Sequence, residues 1–194
     1  MNDALDRAVR AVRQGELVVY PTETVYGLGA DALDDRAVNR VFEAKQRPHD
    51  NPISMAVSDI ETACSYTRPT PRERAFMQAF LPGPVTVVLE RQSAVPDILT
   101  GGRDRVGVRI PDHELARAVA DRCGPITATS ANVSGMPAVT EISELDERIT
   151  NAAAVILDGG TTPGGGSTVV DVGRETIHRE GPLTDEILAW FAEY

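Results

Sequence analysis

Apolar positions along this chain recur with two spacings, and segments of the two kinds alternate. Spacings of three and four residues, which put apolar side chains on one face of a helix, mark the first kind. We predict helices over residues 3–14, from Asp34 or Asp35 to about Lys45, from Thr70 to Phe80, from Asp112 through Ala120, near residues 143–150, and from Thr184 through Phe191. Short apolar runs between them predict strands over residues 16–20, 53–57, 85–89, 105–110, 126–129, 153–157, 168–171 and 176–178.

The alternation predicts an α/β fold. The connections are short, and the chain has no internal repeat and no long linker. A mixed sheet with helices packed against it is the simplest way to bury these apolar faces. Because 194 residues are the size of one domain, we expect a single domain over residues 1–194.

Composition narrows the class of protein. Hydrophobic residues make up 42% of the chain and charged residues 25%, as in soluble globular proteins. No apolar stretch is long enough to span a membrane, and no secretion signal precedes the first helix. Cys64 and Cys123 are too far apart to indicate a zinc site or a disulfide framework. We therefore expect a soluble protein of a reducing compartment, the cytoplasm, with no membrane partner.

The formal net charge is −10, which opposes binding to a nucleic-acid backbone unless the basic groups are gathered in one place. Of the 19 basic residues, all but Lys45 are arginine. An acidic chain almost free of lysine fits a salt-adapted proteome or a GC-rich genome. A lysine that remains in such a chain indicates a position that requires a compact ammonium group. Its survival by chance is an equal alternative.

Several common chemistries have no motif in this sequence. The only lysine does not lie in a P-loop pattern. Residues 27–32 match a loose dinucleotide-binding pattern, but they do not join a strand directly to a helix. The histidines His49, His113 and His178 have no metal-binding spacing, and no nucleophile elbow is present. Ordinary hydrolase, metalloenzyme and dehydrogenase activities are therefore unsupported.

Four polar segments remain that regular structure does not explain: residues 21–29, 45–52, 129–135 and 164–171. Each has an ordinary alternative, namely a tight turn, a solvated helix end or a polar loop. Arg109 lies within a predicted strand and Arg179 follows another. Taken together, hydroxyl-rich loops and several cations at strand ends predict a cavity for a polyanion.

These segments resemble the YrdC/Sua5 family, the L-threonylcarbamoyladenylate synthases that begin the threonylcarbamoyl (t6A) modification of tRNA adenosine 37. The similarity runs in order over roughly residues 4–185. Its motifs are Pro21-Thr-Glu-Thr-Val-Tyr-Gly-Leu-Gly-Ala30, Lys45-x-Arg47 with Asn51-Pro52, Pro82-Gly-Pro-Val-Thr86, Val108-Arg-Ile-Pro111, Ser130-Ala-Asn132, Ser167-Thr168 and Arg179-x-Gly181.

The resemblance implies a twisted open mixed sheet with flanking helices and a large positively charged cavity. It also implies a nucleotidyltransferase that makes threonylcarbamoyl-AMP and pyrophosphate from L-threonine, bicarbonate and ATP. Mg²⁺ would be the cofactor, held mainly by the ATP phosphates, so no protein residue is assigned to a metal. A downstream tRNA threonylcarbamoyl transferase would take the adenylate, and contact with tRNA would be weak.

The resemblance further assigns roles to residues. Lys45, Arg47 and Ser130 would be catalytic. ATP would be bound by Lys45, Arg47, Asn51, Arg105, Ser130, Asn132, Ala138 and Arg179. Threonine and its carbamate would be held by Thr24, Arg109, Ala128 and Ser167, with Arg109 pairing the threonine carboxylate.

Two features depart from the fuller family pattern, and three alternatives stay open. Ala56 stands where many relatives carry a histidine that contacts threonine; the shorter relatives lack this histidine as well, so the departure counts little against threonine binding, although it allows a weaker affinity. The chain resembles the short form, without a C-terminal Sua5-type domain. The alternatives are a paralogue that binds nucleotide without threonine activity, the related carbamoyl-adenylate domain of hydrogenase maturation, and a module that binds double-stranded RNA. The net charge of −10 and an aromatic content of only 5% argue against the RNA module.

Overall fold

The computed structural model describes residues 2–193. Met1 and Tyr194, the two ends of the domain expected over residues 1–194, lie outside the described residues. The helices are α1 (Asn2–Arg13), α2 (Asp35–Lys45), α3 (Ile60–Tyr66), α4 (Pro71–Phe80), α5 (Asp97–Thr100), α6 (Glu114–Cys123), α7 (Glu147–Ala152) and α8 (Thr184–Glu193). The strands are β1 (Leu17–Tyr20), β2 (Gly27–Gly29), β3 (Ser54–Ala56), β4 (Val85–Glu90), β5 (Arg105–Arg109), β6 (Ile126–Ser130), β7 (Ala153–Ile156), β8 (Thr168–Asp171) and β9 (Thr176–Arg179).

The strands form one open sheet in the order β7-β1-β2-β6-β3-β5-β4-β8-β9. Three neighbouring pairs, β1 with β7, β3 with β5 and β4 with β8, are parallel, and the others are antiparallel. The predicted α/β fold with a mixed sheet and flanking helices is confirmed.

Helices cover both faces of the sheet because successive side chains of a strand point to opposite sides. In β1, Leu17 and Val19 join a large core with residues of α2, α4 and α8. Val18 and Tyr20 point the other way, into a smaller core with residues of α1 and α6. Within residues 2–193, none of these helices has the length and apolar character needed to cross a bilayer.

The same alternation of side chains determines which face of the sheet carries a cavity. In β4 and β5, Val87 and Val108 enter the large core. Thr86, Gly107 and Arg109 face the opposite side, where they line a cavity. The cavity therefore occupies the stretch of the sheet face, around β3, β5, β4 and β8, that α1 and α6 leave uncovered.

Several local predictions are confirmed by hydrogen bonds at helix ends. Asp34 caps α2, because its Oδ1 accepts from the backbone N–H of Arg36 at 2.8 Å. Thr70 and Glu73 form the predicted capping box of α4, with donor–acceptor distances of 3.2 and 2.7 Å. Helix α2 ends at Lys45, where Gln46 turns the chain with a left-handed φ of 50°.

Some predictions were wrong, and some elements of the structure were not predicted. Residues 27–29, expected in a polar turn, form β2 and pair antiparallel with β1. Helices α3 and α5 were not predicted; they have only seven and four residues, too few to repeat a helical pattern clearly. The helix expected near residues 143–150 is divided into a 3₁₀ turn at Ile142–Glu144 and α7. The division follows from Asp146, which caps Arg148 N at 2.8 Å and so starts a new helix.

The predicted cap of α6 was also wrong. His113, not Asp112, is the N-cap residue, and it makes no side-chain capping bond. The Asp112 carboxylate instead accepts from Arg117 at 3.2 Å. The Asp112 carboxylate thus forms an ion pair with a side chain one turn into the helix and does not cap the helix as the sequence suggested.

Candidate active site

The cavity has a volume of about 860 Å³ and is lined by residues of strands β1–β6, β8 and β9 and of the loops beside them. Six arginines line it, against two aspartates, so its charge is opposite to that of the whole chain. The lining arginines are Arg47, Arg103, Arg105, Arg109, Arg174 and Arg179. An 860 Å³ space is within the range of pockets that hold ligands of nucleotide size.

Most of the residues assigned by resemblance are brought together here. The assigned residues that line the cavity are Thr24, Arg47, Asn51, Arg105, Arg109, Ala128, Ser130, Ala138, Ser167 and Arg179. Lys45 and Asn132 are buried, with exposed fractions of 1% and 8%, and do not belong to the lining. Ala56 is fully buried in the smaller core.

Lys45 reaches the loop that follows β6 instead of the cavity. Its Nζ donates to the carbonyl oxygens of Ser130 and Asn132, the latter at 2.6 Å, and approaches Asn132 Oδ1 at 3.4 Å. Burial, with a smaller contribution from the charge of Arg47, lowers the pKa of Lys45 to about 8. The direct contact with ATP that the resemblance implies stays a prediction.

The loop held by Lys45 is also fixed from within. Ser130 Oγ donates to Asn132 Oδ1, and Asn132 Nδ2 donates to the carbonyl of Met136 at 2.6 Å. The backbone N–H of Ser134 closes the loop onto Lys45 O at 2.8 Å. Asn132 therefore shapes the loop, and Ser130 is the member that lines the cavity.

Arg47 is oriented by the irregular chain that follows α2. Its Nη2 donates to Asn51 Oδ1 at 2.9 Å and to Pro52 O at 2.8 Å, and its Nε donates to Asn51 O at 2.9 Å. Burial, and then the positive charge of Arg179, lowers the pKa of Arg47. A guanidinium held beside another cation favours an anionic ligand between them.

Arg179 is anchored to the glycine-rich segment before β8. It donates from Nε to Ser167 O at 2.9 Å and from Nη2 to Ser167 Oγ at 2.8 Å. Ser167 Oγ also lies 2.8 Å from Thr86 Oγ1. Gly181 permits this close packing, because a Cβ there would lie 2.6 Å from the backbone nitrogen of Thr168.

Arg109, at the end of β5, is engaged by the segment after β1. Its Nη2 donates to Glu23 Oε1 at 2.8 Å and to Thr24 Oγ1 at 2.9 Å. Arg109 and Arg179 are close enough that the charge of Arg109, after burial, lowers the pKa of Arg179. Arg47, Arg179 and Arg109 thus form a row of interacting cations along the cavity.

Sequence reasoning assigned no role to Glu23, although it lies within a quoted motif. The available signal was one carboxylate in a segment of hydroxyls and glycines that was expected to face cations.

The carboxylates around Arg105 were missed as well. Arg105 Nη2 donates to Glu73 Oε1 at 3.0 Å, to Asp171 Oδ1 at 3.2 Å and to Val88 O at 2.6 Å. Glu73 and Asp171 are 3% and 0% exposed. Arg105 lines the cavity, but the hydrogen bonds of its Nη2 bind the α4, β4 and β8 regions together.

Comparison with known proteins gives consistent results. Residues 10–181 match the Sua5/YciO/YrdC family, described as "Telomere recombination". Threonylcarbamoyl-AMP synthase of Pyrococcus abyssi is 44% identical over 164 residues, which cover 83% of this chain and 48% of that protein. The synthase of Bacillus subtilis is 39% identical over 186 residues, covering 93% of this chain and 54% of that protein. The chain thus spans about half the length of these curated relatives.

A solved structure shares the fold. The crystal structure of P. abyssi Sua5 complexed with L-threonine superposes with a TM-score of 0.89 at 40% sequence identity. The superposition covers 95% of this chain and 57% of that one.

Proposed function

The chain belongs to the Sua5/YciO/YrdC family, and from this premise we propose that it is an L-threonylcarbamoyladenylate synthase. The observation that carries the proposal is the row formed by Arg47, Arg179 and Arg109 inside a cavity of a protein whose net charge is −10. Concentrating cations in one cavity of an acidic chain favours a small polyanionic substrate.

The reaction has two steps. The threonine ammonium and bicarbonate give the N-carboxylate (a carbamate), water and a proton. An oxygen of the carbamate then attacks the α-phosphorus of ATP, and pyrophosphate leaves. The attacking atom belongs to the substrate, so the protein needs no nucleophilic side chain. What it must supply is orientation and compensation of negative charge.

The triphosphate would bind at the Arg47 and Arg179 end of the row. Asn51 and Ser167 accept hydrogen bonds from these two guanidinium groups, which limits their movement as charge develops on the phosphates. The Ser130 hydroxyl would contribute a further polar group, and Lys45 would keep its loop in place. Arg105 and Ala138 would contact the nucleotide farther along the cavity.

Threonine and its carbamate would bind around Arg109. Thr24, Ala128 and Ser167 line the same cavity; Thr24 accepts from Arg109 at 2.9 Å, and Ser167 accepts from Arg179, whose charge interacts with that of Arg109. The Arg109 guanidinium would take the threonine carboxylate, since a charge-assisted hydrogen bond is the strong interaction available there. This arrangement would bring the threonine nitrogen towards the α-phosphate.

Mg²⁺ would enter with ATP. Among residues 2–193, no group of three or more His, Cys, Asp or Glu side chains is suited to hold a metal. Asp171, a carboxylate that lines the cavity, is already engaged by Arg105 at 3.2 Å. We propose that the cation is held through the phosphate oxygens of ATP, where it would neutralise charge on the departing pyrophosphate.

The product is a mixed anhydride of a carbamic acid and AMP, which hydrolyses readily in water. We propose that a tRNA threonylcarbamoyl transferase consumes it in the cytoplasm, and that direct contact with tRNA is weak. The acidic net charge supports transfer through the small molecule over stable RNA binding.

Pyrophosphate release tests the proposal directly. The protein is incubated with ATP, Mg²⁺ and bicarbonate, with and without L-threonine, at low and high salt. We expect release only when both threonine and bicarbonate are present. ATP binding without such release, in protein shown to be folded, would favour the paralogue that binds nucleotide without threonine activity.

A further inference from the structure

The donors of Arg109 are unequally used. A guanidinium has five N–H groups, one on Nε and two on each terminal nitrogen. Both hydrogens of Nη2 are taken, by Glu23 Oε1 at 2.8 Å and by Thr24 Oγ1 at 2.9 Å. The Nε group is buried and has no partner among residues 2–193. Nη1 is therefore the nitrogen left to face the cavity that Arg109 lines.

Glu23 is placed to hold this guanidinium and not to touch a ligand. Its side chain is 15% exposed, and Oε2 is buried without a hydrogen-bond partner in the described part of the chain. It does not belong to the cavity lining. One carboxylate oxygen of Glu23 thus accepts a hydrogen bond from Arg109, and the other is buried in the protein.

The surroundings of Arg109 make this contact important for its orientation. Arg179 lines the same cavity, and its positive charge repels that of Arg109. Within residues 2–193, the ion pair that Arg109 forms is with Glu23, and its side chain is only 11% exposed. Without that carboxylate, the hydrogen bond from Nη2 to the Thr24 hydroxyl would remain, but no negative charge would offset a buried guanidinium beside another cation.

We propose that Glu23 is a positioning residue of the threonine subsite: it fixes Arg109 so that Nη1 alone meets the substrate carboxylate. The inference rests on the proposed function. With Glu23 in place the carboxylate is held at one guanidinium nitrogen, because a two-nitrogen grip would require Nη2 to release Glu23 or Thr24.

The test is calorimetric titration of L-threonine into the full chain saturated with Mg²⁺ and a non-hydrolysable ATP analogue. Glu23→Ala is expected to weaken threonine binding by about tenfold or more, as for loss of a hydrogen bond to a charged group. Glu23→Gln keeps a carbonyl that can accept from Nη2, so it should recover part of the affinity. Affinity for the ATP analogue should change less than twofold in both variants.

A double-mutant cycle separates positioning from a general structural effect. In an Arg109→Met background, Glu23→Ala should weaken threonine binding no further, because the cation that Glu23 orients is gone. Glu16→Gln is the matched control, since Glu16 forms a surface ion pair with Arg40 at 3.0 Å. That variant should bind threonine normally.

The outcomes distinguish the two proposals. If wild-type protein binds the ATP analogue but not threonine, the proposed function fails, and this inference fails with it. If wild-type protein binds threonine and both folded Glu23 variants bind it equally well, only the role of Glu23 is overturned. Equal weakening of threonine and ATP analogue would also overturn it, because that pattern indicates a disturbed fold. Should Glu23→Ala not fold, Glu23→Gln decides alone, since an unchanged threonine affinity in that variant contradicts the requirement for the charge.

Discussion

Lys45 shows why a chain that uses arginine almost everywhere keeps one lysine. The ammonium is surrounded by three oxygens of the loop from Ser130 to Asn132, and the side chain is 1% exposed. A compact group with three donors matches three converging acceptors, whereas a planar guanidinium is larger and directs its donors as a fork. The loop, and through it Ser130, depends on this fit.

We expect Lys45→Arg to lose most activity although the charge is kept. The larger group must displace the loop, and a displacement of about 1 Å near reacting atoms can cost about a hundredfold in rate. Turnover of the purified variant, measured as threonine-dependent pyrophosphate release, checks this. Arg36→Lys, on the exposed side of the same helix, is the control. Near-normal turnover by Lys45→Arg would contradict the requirement for an ammonium.

Lys45 should also couple ATP binding to proton uptake. Its pKa is lowered to about 8 in the folded protein, so near pH 8.5 much of it is neutral. Bound ATP adds negative charge nearby, which raises the pKa and draws a proton onto the amine. ATP affinity should therefore fall as pH rises above about 8.

Calorimetry in two buffers with different ionisation enthalpies measures this uptake. The observed binding enthalpies should differ at pH 8.5 and agree more closely at pH 6.5, where Lys45 is already protonated. Identical enthalpies in both buffers at pH 8.5 would rule out the coupling.

At the scale of elements, Arg105 links one helix and two strands. Arg105 of β5 bonds Glu73 of α4 and Asp171 of β8, which lie 32 and 66 residues away along the chain. Both carboxylates are buried; Arg105 compensates the charge of Glu73, and it shares the compensation of Asp171 with Arg174, whose Nη1 lies 3.5 Å from Asp171 Oδ2. Arg105 therefore contributes to the stability of the cavity wall as well as to its charge.

Arg105→Gln should destabilise the protein by about 3–5 kcal/mol, the usual cost of breaking a buried ion pair by removing one partner. Urea unfolding monitored by tryptophan fluorescence measures the change. Arg148→Gln, an exposed position on α7, should leave the unfolding midpoint unchanged. If Arg105→Gln unfolds like wild type and only loses ATP affinity, its role is that of a ligand contact.

Local patterns predicted those elements whose signal lies within the element itself. Capped amphipathic helices such as α2 and α4, and apolar strands such as β4, carry that signal. Strand β2 carries no such signal, because its sequence is Gly-Leu-Gly. Its glycines are needed to leave room for a side chain of the neighbouring strand. A Cβ at Gly27 would lie 2.7 Å from the ring of Tyr20 on β1.

The site follows the same rule. Arg47, Arg109 and Arg179 lie in the quoted motifs, and so does Glu23, but the pairing of Glu23 with Arg109 could not be predicted from them. Glu23 and Arg109 are 86 residues apart in sequence, so only the folded sheet brings them together.

At the scale of the whole molecule, a net charge of −10 surrounds a cavity lined by six arginines. Many ion pairs on the surface are exposed, such as Arg68 with Glu90, and contribute little individually. Repulsion among the excess acidic groups is then the electrostatic effect that salt should change most.

The thermal midpoint should accordingly rise between low salt and molar KCl. Screening about 1 kcal/mol of repulsion would raise the midpoint by roughly 2–4 °C for a chain of this size. Differential scanning calorimetry of the ligand-free protein measures it. A midpoint that stays constant or falls would show that the surface ion pairs outweigh the acidic excess.

The order of the strands has a consequence for how this protein is made. The residues that line the cavity are spread along the chain from Tyr20 to Arg179. Strand β9, which carries Arg179, pairs with β8 at the edge of the sheet. While a ribosome is still making the chain, β8 has an unpaired edge, and Ser167 has no guanidinium to bind. A growing chain therefore cannot acquire its full affinity for nucleotide strand by strand. It should gain it in one late step, when β9 leaves the ribosome and closes the wall.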